Sequence, residues 1–202
     1  FFFLFQTEKI LSQTNNTIIV SVGDYAITRL DLFKEIKIIA ILSNTRIDET
    51  NRDQIRNLAI KSLIKRKIKQ GELEKRNISR YNRKQLNFMI DNASNKIGLD
   101  RNGLKELFEK NNLIFENLVK KFEIDLQWNY MIFQIYKNRI SLNTAEIENK
   151  INLYLENSQK ENKEDIETIK EKIVDVEKEK KLKMFSNLHY SKLERSTQIK
   201  FL

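Results

Sequence analysis

The chain has 202 residues, 40% of them hydrophobic and 32% charged, with four glycines, no proline and no cysteine. That length carries one or two domains, and the apolar content exceeds that of a disordered chain so rich in charge. All-β sandwiches and propellers need glycine or proline at every turn and are excluded as poor fits; disulfides and thiolate metal sites are excluded outright.

The net charge is +9, which suits nucleic acid, an anionic surface or acidic client proteins. The chain is also crowded with Lys, Asn and Ile, as AT-rich coding would impose, and this discounts the charge as a functional sign. Phe1 to Phe5 form an apolar run without an initiator Met. It reads either as the end of a signal peptide or as an ordinary frayed terminus, so residues 1–16 are set apart. No later run approaches the 18 apolar residues of a membrane span.

Residues 17–22, TIIVSV, and 25–28, YAIT, flank Gly23-Asp24, which predicts a β-hairpin of the II′ kind. Thr28 stands three residues before Asp31, a capping-box spacing that opens a helix along LFKEIKIIAIL. A longer helix from about Glu49 to Arg76 carries Ile55, Leu58, Ala59, Ile60, Leu63, Ile64 and Ile68, an arc broad enough to be covered on more than one side. Leu86, Met89, Ile90, Ala93 and Ile97 follow at helical spacing, with Gly98 placed to close that helix and Leu99 as its apolar contact. Asp100 caps a short helix that ends at Asn111-Asn112. The next runs from about Phe115 to Arg139, and Asn143 starts another with Ile147, Ile151 and Leu155 inward.

Residues 157–165, NSQKENKED, form the one credible linker, and a helix from about Lys163 to Leu193 follows. Residues 197–202, TQIKFL, read as a strand. A lone hairpin is marginal in water, so this strand is expected to complete the sheet and bring the two chain ends together. The expected fold is mainly α, with a small antiparallel sheet made by an N-terminal hairpin and the C-terminal strand.

The motif IIVSVGDYAITRLDL (Ile18 to Leu32) resembles the N-terminal hairpin of the SurA family of periplasmic chaperones. IRNLAIKSLIKRKI, NRKQLNFMIDNASNKIGLDRNGLKELFEKNN and RISLNTAEIENKINLYL are similar to that family's helical body, and YSKLERSTQIKFL to its closing helix end and strand. The likeness covers nearly the whole chain from about Thr17. It implies an N-terminal chaperone region over 17–156 and a C-terminal helix and strand, 166–202, packing back on the same domain. Family members carry one or two parvulin isomerase domains of about a hundred residues at the place where this chain has only NSQKENKED. The resemblance therefore implies a periplasmic, ATP-independent chaperone for unfolded outer-membrane proteins, without isomerase activity. No cofactor, metal or small-molecule substrate is expected, and a monomer is.

Several residues invite a chemical role. His189 is the only histidine, with no elbow or His-rich spacing around it, and reads as an ordinary helix-end side chain. The basic run from Arg52 to Lys84, with Tyr81 beside it for stacking, is the basis of an alternative reading as a nucleic-acid-binding protein. Its charges fall at nearly every helical angle, which favours a solvated surface. Trp128, Tyr130, Met131 and Phe133 crowd one helix beyond what a single stripe buries. Most of this is core, and the remainder, joined by Phe108 and Phe115, are the candidates for lining a client-binding crevice.

Overall fold

A computed structural model describes residues 16–140, 142–157 and 166–202. The run Phe1–Phe5 and most of the polar stretch 157–165 lie outside the described residues. Within them the protein is mainly α, with seven α-helices and one three-stranded antiparallel sheet. The described chain divides into two compact units. One holds the residues up to Trp128 together with Leu193–Leu202; the other is Asn129–Lys192.

In the first unit, β1 (Ile18–Val22) and β2 (Tyr25–Thr28) form the hairpin. Gly23 takes φ +55° at the first turn position while Asp24 does not enter the left-handed region, as a II′ turn requires. The C-terminal strand β3 (Ile199–Phe201) pairs antiparallel with β1, Val20 opposite Phe201 and Val22 opposite Ile199. The sheet order is β2-β1-β3, so the first and last strands of the described chain lie side by side, with β1 in the centre. Val20, Val22 and Ile27 are buried beneath it.

Thr28 closes the capping box of α1 (Arg29–Leu42) as its spacing predicts. Its hydroxyl accepts from the Asp31 amide at 3.1 Å and the Asp31 carboxylate accepts from the Thr28 amide at 2.9 Å. Helix α2 (Arg52–Lys75) begins three residues later than the apolar pattern suggests. The Asp48 carboxylate accepts from the Thr50 hydroxyl and the Thr50 and Asn51 amides, which stabilises a local turn there instead of helix. These bonds hold the Asp48 carboxyl below its usual range. Leu58, expected in the core stripe, is 49% exposed.

Helices α3 (Arg83–Asn95) and α4 (Arg101–Lys110) start from Asn82 and Asp100, whose side chains accept first-turn amides. All four helices of this stretch end alike. Asn44, Asn77, Gly98 and Asn112 take positive φ, and each following amide donates five residues back: Thr45 to Ala40, Ile78 to Leu73, Leu99 to Ser94, Leu113 to Phe108. This is the Schellman closure, with asparagine in the left-handed position at three of the four ends. That substitution explains how short-looped helices form in a chain with so little glycine.

Helix α5 (Phe115–Tyr136) brings Leu118 and Phe122 onto a core of Ile38, Leu104, Phe108 and Leu113, and Leu126 onto Leu86 and Ile90. The sheet is fastened to α2 by Tyr25, which donates its hydroxyl proton to Glu74. That bond, with burial and the nearby Glu74 charge, pushes the phenol up to about 12. The Tyr25 ring lies over Gly71, where an added Cβ would stand 3.1 Å from Tyr25 Cε2. Gly71→Val should therefore displace the ring and lower stability by about 1 to 3 kcal/mol, read as a fall in the thermal midpoint.

In the second unit, the end of α5 leads through a 3-10 turn (Lys137–Arg139) to α6 (Thr144–Asn157), and α7 (Ile166–Ser196) follows the linker. Asn143 caps α6, accepting from the Ala145 amide at 3.1 Å. Ile147 and Ile151 are buried as expected, but Leu155 is 39% exposed, one turn beyond the covered part of the helix. Tyr136 stacks on Phe185 at 4.7 Å and its hydroxyl lies 3.0 Å from His189 Nδ1. His189 is thus engaged in packing α7 against the end of α5.

Candidate functional site

An open groove of about 530 Å³ lies in the first unit between α1, α4 and the two turns that border them. Lys37, Ala40 and Ile41 stand at spacings of three and four, which sets them on one face of α1. The left-handed closure at Asn44 turns the chain back so that Thr45, Arg46 and Ile47 form one wall. The closure at Gly98 delivers Ile97 and Leu99 to the opposite wall, and Leu107 with Asn111 completes it from α4.

Much of the lining is apolar: Ala40, Ile41, Ile47, Ile97, Leu99 and Leu107. Ile41 and Ile97 also pack on the Phe108 core, so the groove is a side opening onto that core. Among the described residues, Lys37 and Arg46 supply the charges of the lining, and no carboxylate or imidazole lines it. Lys37 Nζ donates to the Asn111 carbonyl at 2.9 Å, placing a cation at the C-terminal end of α4 where the helix dipole favours it. What this groove offers is binding chemistry: apolar contact beside positive charge.

The residues that sequence reasoning singled out for client contact are scattered. Phe108, Trp128 and Met131 are at most 1% exposed; as the largest side chains available they fill the interior and present no surface to a client. Phe115 is half-buried, edge-on to Phe108 at 5.7 Å. Tyr130 is half-buried, and Phe133, 45% exposed, is the one that faces solvent. Tyr130, Met131 and Phe133 belong to the second unit, whereas the groove, Phe108, Phe115 and Trp128 belong to the first. With Phe133, nine of the seventeen large apolar side chains exposed among the described residues lie in Asn129–Lys192, Leu153, Met184 and Leu188 among them. This second unit therefore presents much of the protein's exposed apolar surface.

The basic run of α2 is not simply solvated. Arg66 and Lys121 both pair with Glu35, a carboxylate only 1% exposed, and Ser62 donates to it at 2.6 Å. Burial alone pushes the Glu35 carboxyl up, but Arg66, Lys121 and the hydrogen bonds from Lys121 and Ser62 outweigh it and hold the group below its usual range. Lys69, with its side chain 10% exposed, meets Asp125 at 2.5 Å and lies over the Trp128 ring at 5.5 Å. Its burial pushes the ammonium down in spite of Asp125. Farther along, Arg76 pairs with Glu72, and Tyr81 donates to Glu123 at 2.6 Å.

Among the described residues no cluster of side chains could hold a metal ion, and no helix is long and apolar enough to cross a membrane. Compared with known proteins, the sequence matches no family model and no curated protein.

Proposed function

We propose that this chain is an ATP-independent chaperone, similar to the SurA type, that holds unfolded outer-membrane proteins in the periplasm and catalyses no isomerisation. The observation that carries the reading is the groove with its apolar lining beside the charges of Lys37 and Arg46. Its volume falls within the range of clefts that take ligand side chains. An apolar or aromatic client side chain would settle against Ile41, Ile97 and Leu107, with acidic neighbours drawn to Lys37 and Arg46.

Burying one such side chain is worth about 1.5 to 3 kcal/mol, so two give a gross of about 3 to 6 kcal/mol, near millimolar affinity. Contacts of that strength exchange rapidly without nucleotide hydrolysis. The exposed apolar residues of Asn129–Lys192 would add further weak contacts and raise avidity. The sheet in which the hairpin pairs with the closing strand supports the same reading, because it is the arrangement that the hairpin and closing-strand likeness implies.

The alternative, a nucleic-acid-binding protein, gains less support. Arg66, Lys69 and Arg76 of the basic run are committed to carboxylates, and Tyr81 to Glu123. Retention of random DNA on a filter should be weak at physiological salt.

At equimolar ratio the purified protein should suppress light scattering from a denatured porin diluted out of urea. Ile47→Asp, on an exposed wall of the groove, should remove much of that effect, while Leu58→Asp, exposed away from the groove, should leave it intact. Absence of suppression by the unaltered protein would overturn the proposal.

A further inference from the structure

Two cations stand in the groove between α1 and α4 without a carboxylate beside them. Among the described residues, the Arg46 guanidinium has no hydrogen-bond or ion-pair partner, and Lys37 meets only the neutral carbonyl of Asn111. Asp48, two residues beyond Arg46, is turned onto its own loop, where it accepts from Thr50 and Asn51, and it does not line the groove. The C-terminal end of α4 offsets part of the Lys37 charge, which leaves Arg46 as the principal site for an anion. We infer that the groove takes the C-terminal residue of an unfolded client chain, with the α-carboxylate on Arg46 and Lys37 and an apolar or aromatic side chain against Ile41, Ile97 and Leu107; this rests on the chaperone reading and names the part of the client that is held.

The spacing suits one residue. Lys37 and Ile41 are a helical turn apart on α1, and Arg46 precedes Ile47 in the lining, so each cation stands beside an apolar contact. A C-terminal residue carries a carboxylate and a side chain on the same Cα and satisfies both at once. An internal apolar residue brings no charge, and an internal Asp or Glu brings its charge where the apolar side chain has to be. The planar guanidinium of Arg46 also matches a carboxylate with two parallel hydrogen bonds, which a peptide carbonyl cannot accept in the same way.

Backbone donors stand in the same segment. Thr45 donates to Ala40 and Asp48 to the Asn51 side chain, but between them the amides of Arg46 and Ile47 have no acceptor among the described residues. Successive amides left over in this way are a recurring means of capturing a terminal carboxylate.

Chemical-shift titration of the full chain with the acetylated peptide Ser-Gly-Ser-Gln-Phe, set against the same peptide ending in a carboxamide, tests the site. The free acid should bind about tenfold more tightly, as a hydrogen bond to a charged group implies, with the largest shifts at the Arg46 and Ile47 amides and an advantage that shrinks as salt is raised. Arg46→Gln removes a side chain that makes no hydrogen bond or ion pair in the fold. It should bring affinity for the acid down to near that for the carboxamide and leave the carboxamide unaffected. Equal affinity for acid and carboxamide, or shifts centred away from the groove, would overturn the inference. A protein that suppresses porin aggregation but binds acid and carboxamide alike keeps the chaperone role and loses the carboxylate site; one that prefers the acid without suppressing aggregation keeps the site and loses the role.

Discussion

Glu35→Ala should lower the stability of the protein by about 3 to 5 kcal/mol, a loss measurable as a shift in the urea midpoint. The carboxylate is the shared partner of Arg66 from α2 and Lys121 from α5 and is itself on α1. Removing it leaves two cations, each with a side chain only 20% exposed, facing one another without a counter-charge. The effect belongs to the broken cluster and not to the intrinsic worth of an ion pair. Replacing all three together, as Glu35→Leu with Arg66→Leu and Lys121→Met, should therefore recover stability to within about 1 kcal/mol of the original. A triple variant as unstable as Glu35→Ala would show that the volume of the site, not its charge, carries the effect.

The same carboxyl predicts an acid sensitivity with a definite sign. Its folded-state titration lies below the ordinary 4.5, so the unfolded chain binds the proton more readily. The cluster then contributes fully above that ordinary value, and its contribution drains away as pH falls through it and below. Lys69 gives the same sign of pH dependence at higher pH, although it enters as a cost and not as a stabilising contribution. Burial disfavours its charged form, so its cost to stability persists at neutral pH and is relieved only as pH rises. In Glu35→Gln the fall in stability below about pH 4.5 should be shallower than in the unaltered protein.

Local signals in this chain were readable wherever one residue's side chain bonds its own neighbours. Thr28 with Asp31, Asp100 and Asn143 announce helix starts because the capped amides are two or three residues away. Gly98 announces a helix end for the same reason, while Asn44, Asn77 and Asn112 do so less openly, since asparagine also occupies ordinary surface positions. The Glu35 cluster had no such signal. Its partners stand 27, 31 and 86 residues away, and lysines and arginines that circle the whole of α2 give no hint of which will turn inward.

The groove was hidden for a related reason. Ile41, Ile97 and Leu107 have the spacing of any core stripe, and only the assembled turns show that one side is left open. The aromatic density of α5 pointed to both core and crevice. For Trp128 and Met131 of α5, as for Phe108 of α4, the interior prevails, because few other side chains in a helical protein fill so much volume. The boundaries at Trp128 and Lys192 fall inside α5 and α7, where no change of composition marks them.

Lys200→Pro should be the most damaging change at any exposed position of the sheet. Gly23 donates to the Gln198 carbonyl at 2.8 Å and Leu202 to the Ile19 carbonyl at 3.0 Å. Alternation along an antiparallel ladder then makes Ser21 and Lys200, which stand opposite each other, a hydrogen-bonded pair as well. Proline removes the Lys200 donor from the middle of β3 without touching a buried side chain, and should cost about 2 to 3 kcal/mol. Without β3, the pair β1 and β2 is a two-stranded ribbon, marginal on its own, and the edge of β1 lies open. Loss of protection of the Ser21 and Val22 amides in hydrogen exchange would follow the proline substitution, while Lys200→Ala, which keeps the amide, should leave them protected. Equal protection in both variants would mean that α2 and not β3 holds the hairpin in place, and that the closing strand contributes little to the stability of β1.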